Sequence, residues 1–311
     1  MAWRTVLIQK AAKLTLAKGQ LHLSNEEGVF TLPLEDVFVL ILDSPQISLT
    51  SSLLAACQDH GIAVITCDDT HMPNGLLLPF LRHSRQSRIS QLQTGWSEAF
   101  RKRLWQKIIQ CKITNQAACL SDQIGETAAT RLRALVDKVG SGDPANIEAQ
   151  AARDYWPRLF GSGFRRHAPD ITNAALNYGY AVLRATIARA QVAFGLLPCF
   201  GLHHENELNA FNLSDDIMEM LRPCVDGHVC TLIRSGVIAI TDHTLGVTQR
   251  QQLAAITAQQ AHYAGQSFTI TALADKLAAN LVTAIEAKSP ALFLVPDYRP
   301  TRTQITDHDE R

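Results

Sequence analysis

Over the first eighty residues, apolar side chains recur at every second position in short runs. Residues 5–9 and 13–17 alternate apolar and polar, Lys18-Gly19 offers a turn, and 20–23 resume the period, so a hairpin with one buried face is predicted. Residues 28–32, 37–42, 62–67 and 76–78 are further short runs, most of them rich in Val, Ile and Leu. They are punctuated by Pro33, Ser44-Pro45, Asp68-Asp69 and Pro73-Asn74-Gly75, which suits strands joined by turns. Between them, residues 50–60 read as a single helix opened by a hydroxyl cap.

Beyond Pro79 the apolar period becomes that of helices, with amphipathic stretches near 86–112, 121–139, 144–160, 171–194, 213–222, 249–264 and 270–288. Residues 229–233 and 237–240, around Ser235-Gly236, are compatible instead with a brief hairpin. The tail after Pro296 holds too few apolar residues to bury much. The expected fold class is α+β: a small N-terminal β-sandwich-like domain over residues 1–84 with one short helix, followed by a larger all-helical catalytic domain over 85–311.

Composition narrows the field. The chain has 311 residues and 46% hydrophobic content, ample for a core, and no apolar run nears the roughly 20 residues that cross a bilayer. No membrane association is expected. The start, Met1-Ala2-Trp3-Arg4-Thr5, lacks the basic and apolar blocks of an export signal, so a cytoplasmic location is expected. Seven cysteines without a Cys-x-x-Cys pair suit reduced, buried thiols, and zinc is not expected. Glycine-rich phosphate loops of the dinucleotide or P-loop type are absent, which removes nucleotide hydrolysis as a driving force.

Net charge is zero, but its distribution is uneven. From Gly19 to Leu81 there are eight acidic residues and no Lys or Arg, whereas from Arg82 to Lys112 there are eight basic residues against Glu98 alone. Arg153, Arg158, Arg165 and Arg166 follow. A polyanion would be steered to this second part, with Arg165 and Arg166 as candidate DNA contacts.

Three stretches within that part could together form a divalent-metal site. Asp143-Pro144 resembles a helix opening, Asp as cap and Pro in the first turn, which places Glu148 in the second turn beside small Ala149 and Ala151. His203 and His204 precede the polar stretch Glu205-Asn206-Glu207, and periodicity does not choose between the two rings. Asp216 and Glu219 are spaced to share a helical face, with Glu219 taken as the ligand and Asp216 as its support. Two carboxylates and an imidazole form a mixed O/N set suited to Mg²⁺ or Mn²⁺ acting on phosphodiesters. Each residue also has an ordinary structural alternative, above all pairing of Glu148 with a neighbouring Lys or Arg and of Glu219 with Arg222.

Taken in order, Glu148 with its small neighbours and Tyr155-Trp156, then Gly201-Leu202-His203-His204, then Asp216-Ile217-Met218-Glu219 ahead of Arg222-Pro223, resemble the CRISPR-associated integrase-endonuclease of spacer acquisition. That family spaces its histidine fifteen residues before the second glutamate, which selects His204 with Glu219 and leaves His203 a supporting role. Leu32-Pro33-Leu34-Glu35-Asp36-Val37, Ile47-Ser48-Leu49-Thr50 and the run from Gly61 to Asp68 are similar to the family's β domain, in the form found beside type II RNA-guided effectors. Ile217 and Met220-Leu221 depart from the usual residues without touching the ligands.

The resemblance implies catalytic metal ligands Glu148, His204 and Glu219, and double-stranded DNA as donor and as CRISPR repeat. It also implies a homodimer bridged by a small dimeric CRISPR adaptation partner. The expected activity is insertion of short donor DNA into a repeat array by strand transfer from a 3′-hydroxyl, with hydrolytic endonuclease activity at the same site. Two alternatives stand beside it, a metal-dependent nuclease acting on structured RNA and a non-catalytic DNA-binding scaffold.

Overall fold

The run Val37-Phe38-Val39-Leu40-Ile41-Leu42 has no polar face, and its position explains why. In a computed structural model, which describes residues 4–79 and 83–298, this strand lies inside a sheet buried on both sides. Features assigned above to Met1-Ala2-Trp3, to Arg82 and to the segment beyond Tyr298 lie outside the described residues. In chain order the first part comprises β1 (Arg4–Ile8), β2 (Ala12–Ala17), β3 (Gln20–Asn25), β4 (Gly28–Pro33), β5 (Val37–Leu42), β6 (Ile47–Leu49), α1 (Ser51–Asp59), β7 (Ala63–Cys67) and β8 (Pro73–Leu77).

Among the described residues these strands form two four-stranded sheets, ordered β1-β5-β7-β8 and β4-β3-β2-β6. β1, β5 and β7 run parallel, and β8 closes that sheet antiparallel. In the other sheet β2, β3 and β4 form an antiparallel meander, and β6 joins parallel to β2. The β2–β3 turn is Lys18-Gly19 with φ of 50° and 72°, the positive values that a two-residue hairpin requires. β1 pairs with β5, not with β2. Thr50 caps α1 by accepting from the Leu53 amide at 3.4 Å.

Leu14 and Leu21 of one sheet, Val37, Leu40 and Val64 of the other, and Leu53 and Cys57 of α1 share one apolar cluster. Phe38, Val39, Ile41 and Ile65 belong instead to the larger core made by the helices. A strand buried on both faces has no reason to alternate, which accounts for the continuous apolar run.

The helices are α2 (Gln86–Thr94), α3 (Glu98–Gln123), α4 (Glu126–Val136), α5 (Ile147–Phe160), α6 (Ile171–Ala193), α7 (Asn212–Met218), α8 (Arg222–Arg234), α9 (Val247–Ala254) and α10 (Ile270–Glu286). The stretch predicted as one helix over 86–112 breaks after Thr94, and Ser97 caps a longer α3 by accepting from the Phe100 amide at 3.2 Å. The second part is helical but not all helix. β9 (Gln260–Tyr263) and β10 (Gln266–Thr269) form an antiparallel hairpin where the period predicted helix, around Ala264-Gly265 at φ of 50° and 79°. The brief hairpin considered near 229–240 is instead the end of α8 and the loop after it. Short β-branched runs fit either state, and burial of Val229, Cys230 and Leu232 in the core selects helix there.

α3 passes through the middle of the helical core, and both Leu104 and Ile108 on it are fully buried. Its buried polar residues, Lys112, Asn115 and Gln116, are therefore placed where a polar group needs a partner.

Candidate active site

Glu148 enters the site by a different cap from the one predicted. α5 begins at Ile147, so Glu148 lies in the first turn, not the second, and Asn146 is the cap, in the left-handed region at φ 49°. Its side chain accepts from the Ala149 amide at 3.2 Å. Asp143 retains part of the expected role, because its carboxylate accepts from the Ile147 and Glu148 amides at 2.9 and 3.0 Å. Asp and Asn tolerate left-handed backbone better than most residues, and both take it here. A carboxylate in a first turn also meets the positive end of the helix dipole.

Glu219 lies just past the end of α7, followed by the fully buried Met220-Leu221 pair and by Pro223 in the first turn of α8. Its Oε1 is 2.8 Å from Arg222 Nε and its Oε2 is 2.5 Å from Lys112 Nζ. The same Lys112 nitrogen is 2.5 Å from Glu148 Oε1. Thus acids from two remote segments meet on one ammonium, with their oxygens no farther apart than twice that distance. Both partners named as structural alternatives are real: Arg222 pairs with Glu219, and a lysine, though not a sequence neighbour, pairs with Glu148.

Burial opposes ionisation of Glu219, but Lys112 and Arg222 outweigh it and hold its pKa down to about 2. Burial likewise opposes the Lys112 ammonium, and the Glu219 and Glu148 carboxylates reverse the balance and raise it. Despite its close cations, Glu219 Oε2 receives no well-directed hydrogen bond. Its charge is balanced by cations, of which Lys112 approaches this oxygen without good hydrogen-bond direction.

His204 is fixed from behind. Its Nδ1 is 2.7 Å from Asp216 Oδ1, and the fully buried Asp216 carboxylate also accepts the amides of Leu202, His203 and His204 at 2.5, 3.1 and 3.2 Å. The hydrogen bond to Asp216 raises the His204 pKa against the effect of burial, and the Glu219 charge adds to the rise. Gly201 is required by this loop, since a Cβ there would stand 2.3 Å from the His204 carbonyl oxygen and 2.8 Å from Asp216 Oδ2. The His203 ring stacks on Trp105 with centroids 4.2 Å apart, and the His204 ring meets the same indole edge-on at 5.7 Å.

Trp105 and Lys112 are seven positions apart and share a stripe of α3. One stripe therefore supports the histidine pair at one end and the two glutamates at the other. Sequence reading missed both residues, counting Lys112 among phosphate-steering charges. A signal was present: Lys112 follows Leu104, Ile108 and Ile109 in the apolar phase of the helix, where an unpaired ammonium is costly. A second unpredicted group lies below. Asp226 accepts from Tyr155 Oη at 2.9 Å and from Tyr180 Oη, and Arg222 lies 4.5 Å from the Tyr180 ring centroid. Burial pushes the Asp226 pKa up to about 6.

Among the described residues, no three His, Cys, Asp or Glu side chains stand ready-arranged around a common metal position. The O,O,N donors of Glu148, Glu219 and His204 nevertheless fit a hard divalent cation, and Glu219 Oε2, which faces the Lys112 ammonium without a well-directed hydrogen bond, is a fitting ligand atom. His204 faces an open cleft of about 550 Å³ lined also by Trp96, Arg101, Phe200, Gly201 and Asn209.

The basic segment is less available than its sequence implies. Arg88 pairs with Glu286, Arg101 with Glu205 and Lys102 with Glu98, while Lys107 donates to the carbonyls of Pro290, Ala291 and Phe293. Arg165 is exposed and donates to Ser162 and Phe164 carbonyls, whereas Arg166 is bound to Asn173 and Asn177 at 2.9 and 2.8 Å and lies against Trp156 and Tyr180.

A family model described as CRISPR associated protein Cas1 matches residues 5–257. The chain belongs to that family, the spacer-acquisition family its motifs resemble. It is 39% identical over 302 residues to the CRISPR-associated endonuclease Cas1 of Neisseria meningitidis serogroup C, covering 97% of this chain and 98% of the relative. In fold it is similar to a casposase bound to integration product, with a TM-score of 0.73 at 20% identity over 92% of this chain and 91% of the other. A chain of a Cas6-RT-Cas1–Cas2 complex gives a TM-score of 0.73 at 19% identity, covering 94% of this chain and 36% of that one. No helix among the described residues is long and apolar enough to cross a membrane.

Proposed function

We propose that this chain is a divalent-metal-dependent DNA integrase and endonuclease that inserts short donor DNA into a CRISPR repeat by strand transfer from a 3′-hydroxyl. The observation that carries this reading is the convergence of Glu148 and Glu219 on a single cationic nitrogen beside a carboxylate-anchored His204. Glu148, Glu219 and His204 would hold Mg²⁺ or Mn²⁺. When bound, such a cation neutralises charge on a phosphate oxygen and eases attack at phosphorus.

The chain's own residues do the rest. Asp216 accepts a hydrogen bond from Nδ1–H of His204, and in the neutral ring this leaves Nε2 as the nitrogen with a free lone pair. Arg222 and Lys112 keep Glu219 ionised in a buried place. The cleft on the His204 side gives room for a phosphodiester segment, with Arg101 at its wall. A 3′-hydroxyl nucleophile yields joining and water yields cleavage, so both outcomes use one site. Membership of the family and the likeness to a casposase support the integrase reading, and the likeness to a chain of a Cas1–Cas2 complex supports a Cas2 partner; a homodimer bridged by that partner is part of the same proposal.

The test is strand transfer of 3′-hydroxyl duplex donors into supercoiled repeat DNA, with and without the partner. Glu148→Ala, His204→Ala and Glu219→Ala should each abolish joining while DNA affinity, set mainly by phosphate contacts, stays within a few-fold. Persisting metal-dependent joining by Glu148→Ala would sink the assignment. The ammonium between the acids is the one observation that favours a scaffold reading, in which the acids serve only as salt-bridge partners. Calorimetry with Mn²⁺ separates the two, because a scaffold shows no saturable site that His204→Ala removes. Faster turnover of structured RNA than of duplex donors would favour the RNA nuclease.

A further inference from the structure

We infer that Lys112 is a tethered counterion, a positioning residue that keeps Glu148 and Glu219 together when no cation is bound and must leave the space between them when one enters. The inference rests on the metal-binding reading above. Lys112 Nζ stands 2.5 Å from one oxygen of each acid, in the space that a cation shared by them would need. Both cannot occupy that space.

The charge count favours exchange over coexistence. Without a metal, two acids face two cations, Lys112 and Arg222. Adding a divalent ion while the ammonium stayed would leave the cluster strongly positive, whereas displacing the ammonium restores a smaller imbalance. The parts suit the motion. α3 is anchored by buried Leu104, Trp105, Ile108 and Ile109, so the Cα of Lys112 stays fixed while a flexible four-carbon stem carries the charge away. Arg222 is less free to move, since its fork is held by Glu219 and the Tyr180 ring.

Lysine is also the appropriate cation for such a task. It binds each acid at one point, and a forked guanidinium would grip both. As a competitor for the acids, the ammonium lowers the apparent cation affinity by the fraction of molecules in which it has withdrawn.

The experiment measures Mn²⁺ binding to the full chain by calorimetry, together with thermal unfolding with and without Mn²⁺, for wild type, Lys112→Met, Lys112→Gln and Lys112→Arg. Met and Gln should bind Mn²⁺ about tenfold more tightly or better, and should melt lower than wild type without Mn²⁺ and recover with it. Arg, which preserves the charge and should fold even if the neutral variants do not, should bind about tenfold more weakly. Equal or weaker Mn²⁺ binding by Met and Gln, or unchanged or tighter binding by Arg, would overturn the counterion role while leaving the metal site standing. If wild type and Lys112→Met both lack a saturable Mn²⁺ site, the metal reading itself falls and takes this role with it.

Discussion

Asp216 and His204 are joined twice, through the His204 amide at 3.2 Å and through its ring Nδ1 at 2.7 Å, so one buried carboxylate sets both the backbone and the ring of the imidazole. Asp216→Asn keeps the shape but weakens the anionic acceptor for Nδ1–H. Joining activity should fall by about 10- to 100-fold, the usual cost of losing a group that orients a metal-binding histidine. Strand transfer measured beside circular dichroism checks it, and an unchanged rate would show that Asp216 does not orient the ring.

Gly201→Ala should be more damaging than its single added methyl suggests. The new Cβ would meet the His204 carbonyl and the Asp216 carboxylate, neither of them a flexible end. A loss of about 1–3 kcal/mol is expected from overpacking, read as a lower urea midpoint, along with reduced activity from the displaced His204.

Asp226 should leave a signature in the pH dependence of stability. Its folded pKa of about 6 lies above the ordinary value of 3.8, so the folded state holds its proton more tightly than the unfolded state. Stability from this group therefore rises as pH falls through about 6, is complete below about 4, and is lost as pH climbs back above 6. Asp226→Asn should flatten the wild-type change over that window. Glu219 works in the opposite sense lower down, with stability present above about 4.5 and lost toward pH 2. Denaturation series at pH 4, 5, 6 and 7 test the first claim, and parallel curves for wild type and variant would refute it.

Asn115 ties two segments to one side chain on α3. Its Nδ2 donates to the Met220 carbonyl at 2.8 Å and the Pro296 carbonyl at 3.3 Å, and its Oδ1 accepts the Tyr298 amide at 2.9 Å. Asn115→Ala strands those buried groups and should cost about 1–3 kcal/mol. Faster proteolysis near residues 290–298 should accompany it, since that segment loses its tie to α3. Unaltered proteolysis would mean that the other ties, from Lys107, Asn280 and the His262–Asp297 backbone pair, secure the segment without it.

Most of the strands along the first eighty residues, the helical period after them, and the positions of Thr50 as a cap and Lys18-Gly19 as a turn were legible because each depends on neighbours within a few residues, whereas β6 and the pairing of β1 with β5 were not. The family motifs were legible for a related reason, since fixed spacings such as that from His204 to Glu219 are written directly in the chain. The β9–β10 hairpin was not. Its turn uses Ala264 at positive φ, which composition does not advertise, and only the surrounding core decides that residues 260–269 pair as strands.

What the chain determined by itself was local: periodicity, several caps and turns, and the identities of Glu148, His204 and Glu219 as candidate donors. What tertiary structure decided was who neutralises whom. Lys112 reads as one more charge in a basic segment until α3 is placed between α5 and the end of α7, whereupon it becomes the nitrogen shared by two acids. Ion pairing in a buried site depends on distances of a few ångströms between segments 36 and 107 residues apart along the chain, and packing of whole helices, not sequence spacing, sets those distances.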